Sequence, residues 1–261
     1  MKRLTFTERD RQRVFAKLNA PSHRKARTPR WLPLIATLFL VVIAASFVAS
    51  MRTDSNVATP PSAIETVLLA LQDTSNRIPI TLLVTIDDDT RTIHAASIPR
   101  DTHTEIGKLA FATSNEQLTT TVEQLFSTTI NNTYVRTLSQ LNELGAVTYT
   151  IQEAMQVRAI EQASFHLEAG TQTLNAEQLA SLLLTATNYG GDTDIQQLTT
   201  LWLQHFHESA PFTTAPLDEY TIKAISLHDG MQPARLDEQY VVQFDEAYLQ
   251  QAKDALYSFE K

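Results

Sequence analysis

One short segment combines a cation and a carboxylate where a strand is expected to end. The residues SIPRDT, at 97–102, directly follow a predicted strand. The planar guanidinium of Arg100 can hold a phosphate through two parallel hydrogen bonds, and the carboxylate of Asp101 can hold a Mg²⁺ ion that bridges phosphate oxygens. The segment therefore indicates a phosphate site. The alternative is a local salt bridge between Arg100 and Asp101 with a purely structural role.

The other candidate residues favour ordinary structural roles. Three adjacent carboxylates, at 87–89, lack the loop pattern of a calcium-binding hand and are typical of a solvated turn. His205 and His207 face different sides of a predicted helix, so a shared metal ion is not expected. His103 could act as a base beside Arg100, and an exposed turn residue is the alternative. The sequence contains no glycine-rich phosphate loop, no nucleophile-elbow serine and no HExxH zinc motif.

Charge divides the chain into a basic head and an acidic body. Residues 1–30 carry ten Lys and Arg against two acidic residues, whereas the rest carries 11 basic and 27 acidic residues, a net charge of −16. Such a body repels phosphate backbones, which excludes a uniformly basic nucleic-acid binder. The sequence has no cysteine, which excludes a disulfide scaffold and a cysteine-ligated metal site.

An uncharged apolar segment lies between the head and the body. Residues 32–50 hold 19 residues without a charge, which as a helix would span about 28 Å, close to the thickness of a bilayer core. Basic residues are concentrated before the segment, so the head is expected in the cytoplasm and the body outside. A cleaved signal peptide is the alternative, since Ala45, Ser46 and Ala49 could form a cleavage site. The predicted organisation is a basic cytoplasmic head (1–30), a transmembrane helix (31–50), a linker (51–63) and an extracytoplasmic domain (64–261).

Strands and helices alternate along the body, which predicts an α/β fold: a single layered domain with a mixed sheet flanked by helices. The apolar runs 80–86 and 91–98 predict a buried hairpin, and 64–71 predicts a short helix. Asn175, Asp192 and Asp245 are expected to cap helices that follow them. The remaining predicted elements are helices at 115–126 and 138–144 and strands at 147–151, 220–227 and 240–244.

The segment LLVTIDDDTRTIHAASIPRDT, at 82–102, joins the expected hairpin to the charged turn. It is similar to the first hairpin and signature turn of the LytR-CpsA-Psr (LCP) family of bacterial envelope proteins, which the sequence therefore resembles. The resemblance implies an LCP-like fold, makes Arg100 and Lys108 candidates for phosphate binding and makes Asp101 a candidate metal ligand. Supporting likenesses are KLA at 108–110, ELGAV at 143–147, LEAGTQTLNAEQ at 167–178 and GDTDIQQ at 191–197.

The resemblance also implies charged residues that this chain lacks. LCP enzymes transfer a glycopolymer from a polyprenyl-pyrophosphate carrier to peptidoglycan, with several arginines around the pyrophosphate and acidic residues on a divalent metal. Pro79 stands near the position of one acidic residue, and four other residues stand near those of arginines. These four are Leu184, Ala186, Asp192 and Ile195.

These departures predict a non-catalytic relative, to which no catalytic residue is assigned. The expected protein is anchored in the membrane and binds a polyprenyl-phosphate lipid weakly or docks on other cell-wall assembly proteins. No cofactor is expected, apart from Mg²⁺ if phosphate binding survives, and no nucleic-acid partner. One alternative is an active, divergent phosphotransferase with Lys108, Arg136 or Arg158 as replacement cations. Another is a structural envelope module without a ligand.

Overall fold

The structure, a computed structural model, describes residues 64–161, 163–189 and 195–259. These residues belong to one compact unit, Thr59–Lys261. The predicted head, transmembrane helix and linker lie outside the described residues, as does Asp192. Within the described ranges, no helix has both the length and the apolar character needed to cross a membrane.

A five-stranded mixed sheet forms the centre of this unit. Its strands are β1 (Glu65–Gln72), β2 (Ile80–Asp87), β3 (Thr92–Ile98), β6 (Asn132–Thr137) and β11 (Thr221–Ile225). β1, β2 and β3 form an antiparallel meander, while β6 pairs parallel to β1 and β11 pairs parallel to β3. The spatial order is β11-β3-β2-β1-β6, which confirms the predicted mixed sheet.

Helices cover both faces of the sheet. They are α1 (Asn115–Phe126), α2 (Leu138–Asn142), α3 (Ala176–Tyr189), α4 (Ile195–Ser209) and α5 (Glu246–Leu256). β2 is buried along its whole length, and its alternate side chains enter two separate cores. Leu82 packs in the core that includes residues of α2, α3 and α4, whereas Leu83 packs in the core that includes residues of α1 and α5.

Residues 64–71 form most of strand β1, so the predicted helix is wrong. Because the run is almost continuously apolar, its periodicity does not separate a buried strand from a buried helix. Tertiary pairing decides the outcome: Leu68 lies opposite Leu83 of β2 on one side and opposite Thr133 of β6 on the other. A strand with neighbours on both sides and a core on both faces has no need of a polar stripe.

The other predicted elements are present where the structure describes them. Gln178 and Asn175 form the expected reciprocal cap, with N···O distances of 2.9 and 3.0 Å, and Asp245 accepts the N–H of Tyr248 to cap α5. The sequence predicts the strands at 147–151 and 240–244 but not their pairing into short antiparallel ribbons, and it does not predict the other strands of these ribbons, the shortest of which are too brief to show a period. These ribbons are β4 (His103–Thr104) with β5 (Gly107–Lys108), β7 (Val147–Ile151) with β10 (Gly170–Leu174), β8 (Met155–Val157) with β9 (Phe165–Leu167), and β12 (Met231–Leu236) with β13 (Gln239–Phe244).

A buried histidine fastens the end of α5 to the sheet. His94 of β3 is 2% exposed, and its Nδ1–H donates to the carbonyl of Leu256 at 3.1 Å. Its ring stacks on that of Phe259, with centroids 4.5 Å apart. Burial lowers the pKa of His94, the bond to Leu256 opposes this shift, and the charge of Lys223 adds to it. The folded protein therefore binds a proton at His94 less readily than the unfolded chain does.

We expect the free energy of unfolding to fall as the pH drops from about 7 to about 5. Burial also lowers the pKa of His205 and of His207. The unfolded chain, with ordinary histidine pKa values of about 6.5, therefore binds more protons than the folded chain in this range. Urea unfolding at several pH values measures the slope. His94→Asn should reduce it, because asparagine does not titrate; an unchanged slope would show that His94 is not a source of the effect.

Candidate functional site

Main-chain hydrogen bonds hold the loop that follows β3. The hydroxyl of Thr102 donates to the carbonyl of Pro99 at 2.6 Å, which closes a tight turn around Arg100 and Asp101. The carbonyl of Arg100 accepts the N–H of Ala110 at 3.0 Å. These bonds fix the backbone of the turn, so its two charged side chains project from a rigid base at the carboxyl end of β3.

Asp101 pairs with Lys108 more closely than with its neighbour Arg100. The Nζ of Lys108 donates to Oδ1 of Asp101 at 2.8 Å, whereas Nε of Arg100 lies 3.7 Å from Oδ2. The side chains of Lys108 and Asp101 are 17% and 21% exposed. The expected local salt bridge between Arg100 and Asp101 therefore exists, but the carboxylate is held mainly by Lys108. Only Nε of Arg100 takes part in the pair with Asp101, so its two terminal NH₂ groups are not used in that pair.

Four cations and two carboxylates line one cavity at this loop. The cavity has a volume of about 490 Å³ and a predominantly polar lining. Pro79, which stands near a position where the resemblance implies an acidic residue, also lines it. Its charged lining residues are Arg77, Arg100, Lys108, Arg158, Asp73 and Asp101. The two candidate phosphate-binding residues thus lie together, and two further arginines join them.

Arg77 reaches the cavity from the turn between β1 and β2. Oδ1 of Asp73 accepts the N–H groups of Ser75 and Arg77, each at 2.8 Å, so this carboxylate organises the turn from within. The turn also places Asn76 in the left-handed region, at a φ of 57°. Sequence analysis missed Arg77, because an isolated arginine between two strands carries no motif.

Arg158 reaches the cavity from the loop that follows β8. The carboxylate of Glu161 accepts the N–H of Thr74 at 2.6 Å, which ties this loop to the turn that carries Arg77. The N–H of Glu161 donates in turn to Glu177 of α3 at 3.2 Å. Arg77 and Arg158 are 81 positions apart in the sequence, and this hydrogen-bonded connection brings their loops to one cavity.

The other cations and bases proposed from the sequence lie elsewhere. Arg136 does not line this cavity, and its guanidinium donates to the carbonyls of Val135 and Ser209. His103 is exposed on β4 and is not among the lining residues. Of the three replacement cations considered, Lys108 and Arg158 are therefore at the site and Arg136 is not.

The side chains present do not fit a protein-built Mg²⁺ site. Lys108 already occupies one oxygen of Asp101, and an ammonium group at 2.8 Å competes with a metal ion for it. Nor do the described residues include any group of three His, Asp or Glu side chains that could hold a metal ion. Mg²⁺ requires near-octahedral oxygen ligation, which this arrangement does not supply.

Three of the four positions where the resemblance implies arginines hold apolar side chains that are buried or packed against a core, and the fourth, Asp192, lies outside the described residues. Leu184 and Ala186 of α3 are 7% and 6% exposed, and Ile195 packs against the core that contains Ala186. Ala186 and Ile195, together with Thr187, line a void of only about 10 Å³, roughly the smallest space that admits one water molecule. This void therefore has no room for a pyrophosphate.

Comparison with known proteins identifies the fold. No family model and no curated protein matches this sequence. Among solved structures, Bacillus subtilis TagT has a TM-score of 0.55 at 18% identity, covering 77% of this chain and 93% of that one. A LytR-CPS2A-psr family protein, YwtF (TagT) with bound octaprenyl pyrophosphate lipid, has a TM-score of 0.56 at 19% identity, covering 77% and 92%.

A transcriptional regulator from Enterococcus faecalis is similar to the same degree, with a TM-score of 0.55 at 18% identity, covering 74% of this chain and 86% of that one. The described unit therefore has the fold of the LytR-CPS2A-psr proteins, which confirms the fold that the sequence resemblance implies.

We expect that Leu184→Arg, which introduces the arginine implied by the resemblance, destabilises the domain by about 3 kcal/mol or more. The guanidinium would take the place of a leucine side chain that is only 7% exposed, and a buried charge without a partner carries a cost of this order. Leu184→Met, which nearly conserves volume, is the matched control and should cost less than about 1.5 kcal/mol. Urea unfolding measures both; equal stability of the two variants would contradict the assignment of this position to the core.

Proposed function

We propose that this protein is an LCP-like protein of bacterial cell-envelope assembly that binds the phosphate groups of a polyprenyl-phosphate-linked precursor. The observation that carries the proposal is the cavity in which Arg77, Arg100, Arg158 and Lys108 meet. The binding of octaprenyl pyrophosphate by YwtF, which shares the fold, supports the same class of ligand.

The distribution of charge favours an anionic ligand at this cavity and not elsewhere. Residues 64–259 contain nine Lys and Arg, and four of them line the cavity. With two carboxylates among the lining residues, the cavity carries a formal charge of +2 in a body whose net charge is −16. Guanidinium groups bind phosphate through paired, charge-assisted hydrogen bonds. A phosphate or pyrophosphate therefore matches the cavity in both charge and chemistry.

The cations differ in exposure, which suggests different roles. Arg100 is half-buried beside Asp101, so an ion pair with phosphate there is partly shielded from water. Arg77 and Arg158 are exposed at the rim and meet the ligand in a more screened environment. Lys108 holds Asp101 and keeps that carboxylate from repelling the ligand.

We propose binding without transfer. Asp101 is engaged by Lys108, and no histidine lines the cavity within the part of the chain that the structure describes. Phosphoryl transfer depends on positioning and on neutralising charge at both the attacking and the leaving oxygens. The cations of the cavity can bind the phosphate groups of the ligand. Transfer would also need a base that accepts a proton from the acceptor hydroxyl, and no side chain is assigned to that role.

The proposed location is the outer face of the cell membrane. It depends on residues 31–50 as a transmembrane helix and on a cytoplasmic head at 1–30, both inferred from the sequence. A protein in that position meets the lipid carrier in the membrane and the enzymes that use it. Docking on other cell-wall assembly proteins is part of the same proposal.

We expect arginine substitutions at the cavity to weaken binding of a polyprenyl phosphate. Arg100→Gln should weaken it about tenfold or more, and Arg77→Gln or Arg158→Gln about twofold to fivefold, since exposed ion pairs are worth about 1 kcal/mol or less. Arg235→Gln changes an exposed arginine that does not line the cavity, and its affinity should equal that of the wild type. Calorimetry in detergent micelles measures each affinity. If all four variants bound polyprenyl phosphate with the affinity of the wild type, the proposal would be overturned.

An active, divergent phosphotransferase is the second candidate, and Arg77 and Arg158 favour it. The sequence offers Lys108 and Arg158 only as candidates and does not point to Arg77, whereas all three line the same cavity as Arg100. The charge available to stabilise a transition state is thus larger than the sequence alone predicts.

We expect no transfer above background when the full chain receives a polyprenyl-pyrophosphate glycopolymer, Mg²⁺ and peptidoglycan. Release of polyprenyl phosphate and attachment of labelled polymer to peptidoglycan are the two readouts. Turnover that disappears in Arg100→Gln and in Arg158→Gln, while Arg235→Gln retains it, would replace the binding proposal by the transferase.

A further inference from the structure

An exposed aromatic side chain stands at the rim of the cationic cavity. Phe111 is 47% exposed and lines the cavity. It ends the short 3₁₀ turn Leu109–Phe111, in which Leu109 and Ala110 are buried. Ala110 also donates its N–H to Arg100 and accepts the N–H of Ile78. Phe111 is therefore presented outwards from a backbone that is fixed on both sides.

An aromatic ring next to several exposed cations is typical of a contact with a lipid surface. Aromatic and other apolar side chains enter the interfacial region of a bilayer, while arginine and lysine attract anionic headgroups. Phe111 combines with the exposed Arg77 and Arg158 at a single mouth. The rest of the body is acidic, and its charge repels an anionic surface.

We propose that Phe111, Arg77 and Arg158 form a membrane-surface contact that holds the mouth of the cavity against an anionic bilayer. This inference rests on the proposed function, in which the ligand is anchored in that bilayer. The contact gives the cavity direct access to a headgroup at the surface, so the ligand need not leave the membrane to be bound.

The topology sets a condition on the chain that precedes the sheet. β1 and β3 run in the same direction and both end at the cavity, so Glu65, at the start of β1, lies at the opposite end of the sheet. The length of β1 separates the two ends by about 25 Å. The segment 51–64 follows the predicted transmembrane helix, and its 14 residues span up to about 50 Å when extended. The connection is therefore long enough for the mouth to reach the membrane.

The experiment uses the full chain reconstituted in vesicles. The sequence has no cysteine, so Ser164→Cys gives a single attachment point for an environment-sensitive fluorophore at the exposed lining of the cavity, with Phe111 left in place. Asp89→Cys labels an exposed turn at the other end of the sheet as the matched control. The vesicles contain phosphatidylcholine alone, phosphatidylcholine with phosphatidylglycerol, or phosphatidylcholine with polyprenyl phosphate.

The label at 164 should shift to shorter wavelength and become about threefold less accessible to aqueous iodide when phosphatidylglycerol is present, whereas the label at 89 should not change. Phe111→Ser should remove most of this protection, and Phe111→Trp should retain it. Full iodide accessibility at 164 in every vesicle would overturn the proposal. Protection that appears only with polyprenyl phosphate would also overturn it, and would assign Phe111 to ligand binding. The proposed function is tested separately. It fails if the arginine variants bind polyprenyl phosphate in detergent micelles as tightly as the wild type does.

Discussion

Main-chain hydrogen bonds of the segment that follows β3 connect the loop of Arg100 and Asp101 to the strand that begins next to Arg77. The N–H of Ile78 donates to Ala110 and the N–H of Ala110 donates to Arg100, so the start of β2 and the loop after β3 form one connected layer. On the other side, the N–H of Val242 donates to Asp101 at 2.8 Å. Buried main-chain N–H and C=O groups must form hydrogen bonds. The main chain at this end of the sheet therefore needs these partners whatever its side chains are. The site is therefore positioned by the fold and adjusted by its side chains.

The pairing of Lys108 with Asp101 makes this concentration of cations possible. Without the carboxylate, Arg100 and Lys108 would place two positive charges in a half-buried environment with no counter-charge, which is costly. Asp101 lies between them, at 3.7 Å from one and 2.8 Å from the other. Asp73 has a comparable role in the neighbouring turn, because its carboxylate binds the main chain that carries Arg77. Both acids thus stabilise the positions of cations, which explains why acidic residues occur in an anion-binding cavity.

The sequence predicts those features that depend on short-range patterns. The double-sided burial of 80–86, the cap at Asn175 and the charged turn at Arg100 each follow from neighbouring residues. The strand at 64–71 could not be predicted, because a continuous apolar run fits a strand or a helix until its partners β2 and β6 are known. Arg77 could not be predicted either, since its proximity to Arg158 arises from the bond between Thr74 and Glu161 across 87 positions. The resemblance implies arginines near Leu184 and Ala186, whereas the cavity cations of this chain lie in three other segments: the turn after β1, the segment after β3 and the loop after β8.

The acidic body limits how a charged ligand can approach the cavity. At physiological ionic strength, electrostatic interactions between exposed charges decay over about 8 Å. An anion in free solution therefore meets the negative surface over most directions and feels the four cations only near the mouth. Long-range steering, which accelerates association when a whole face has one charge, is unavailable here. A ligand confined to a surface avoids this restriction, because its approach is limited to the directions that the surface presents. The cations are concentrated at the mouth of one cavity. The direction in which that mouth faces therefore contributes more to binding of an anionic ligand than the net charge of the domain does.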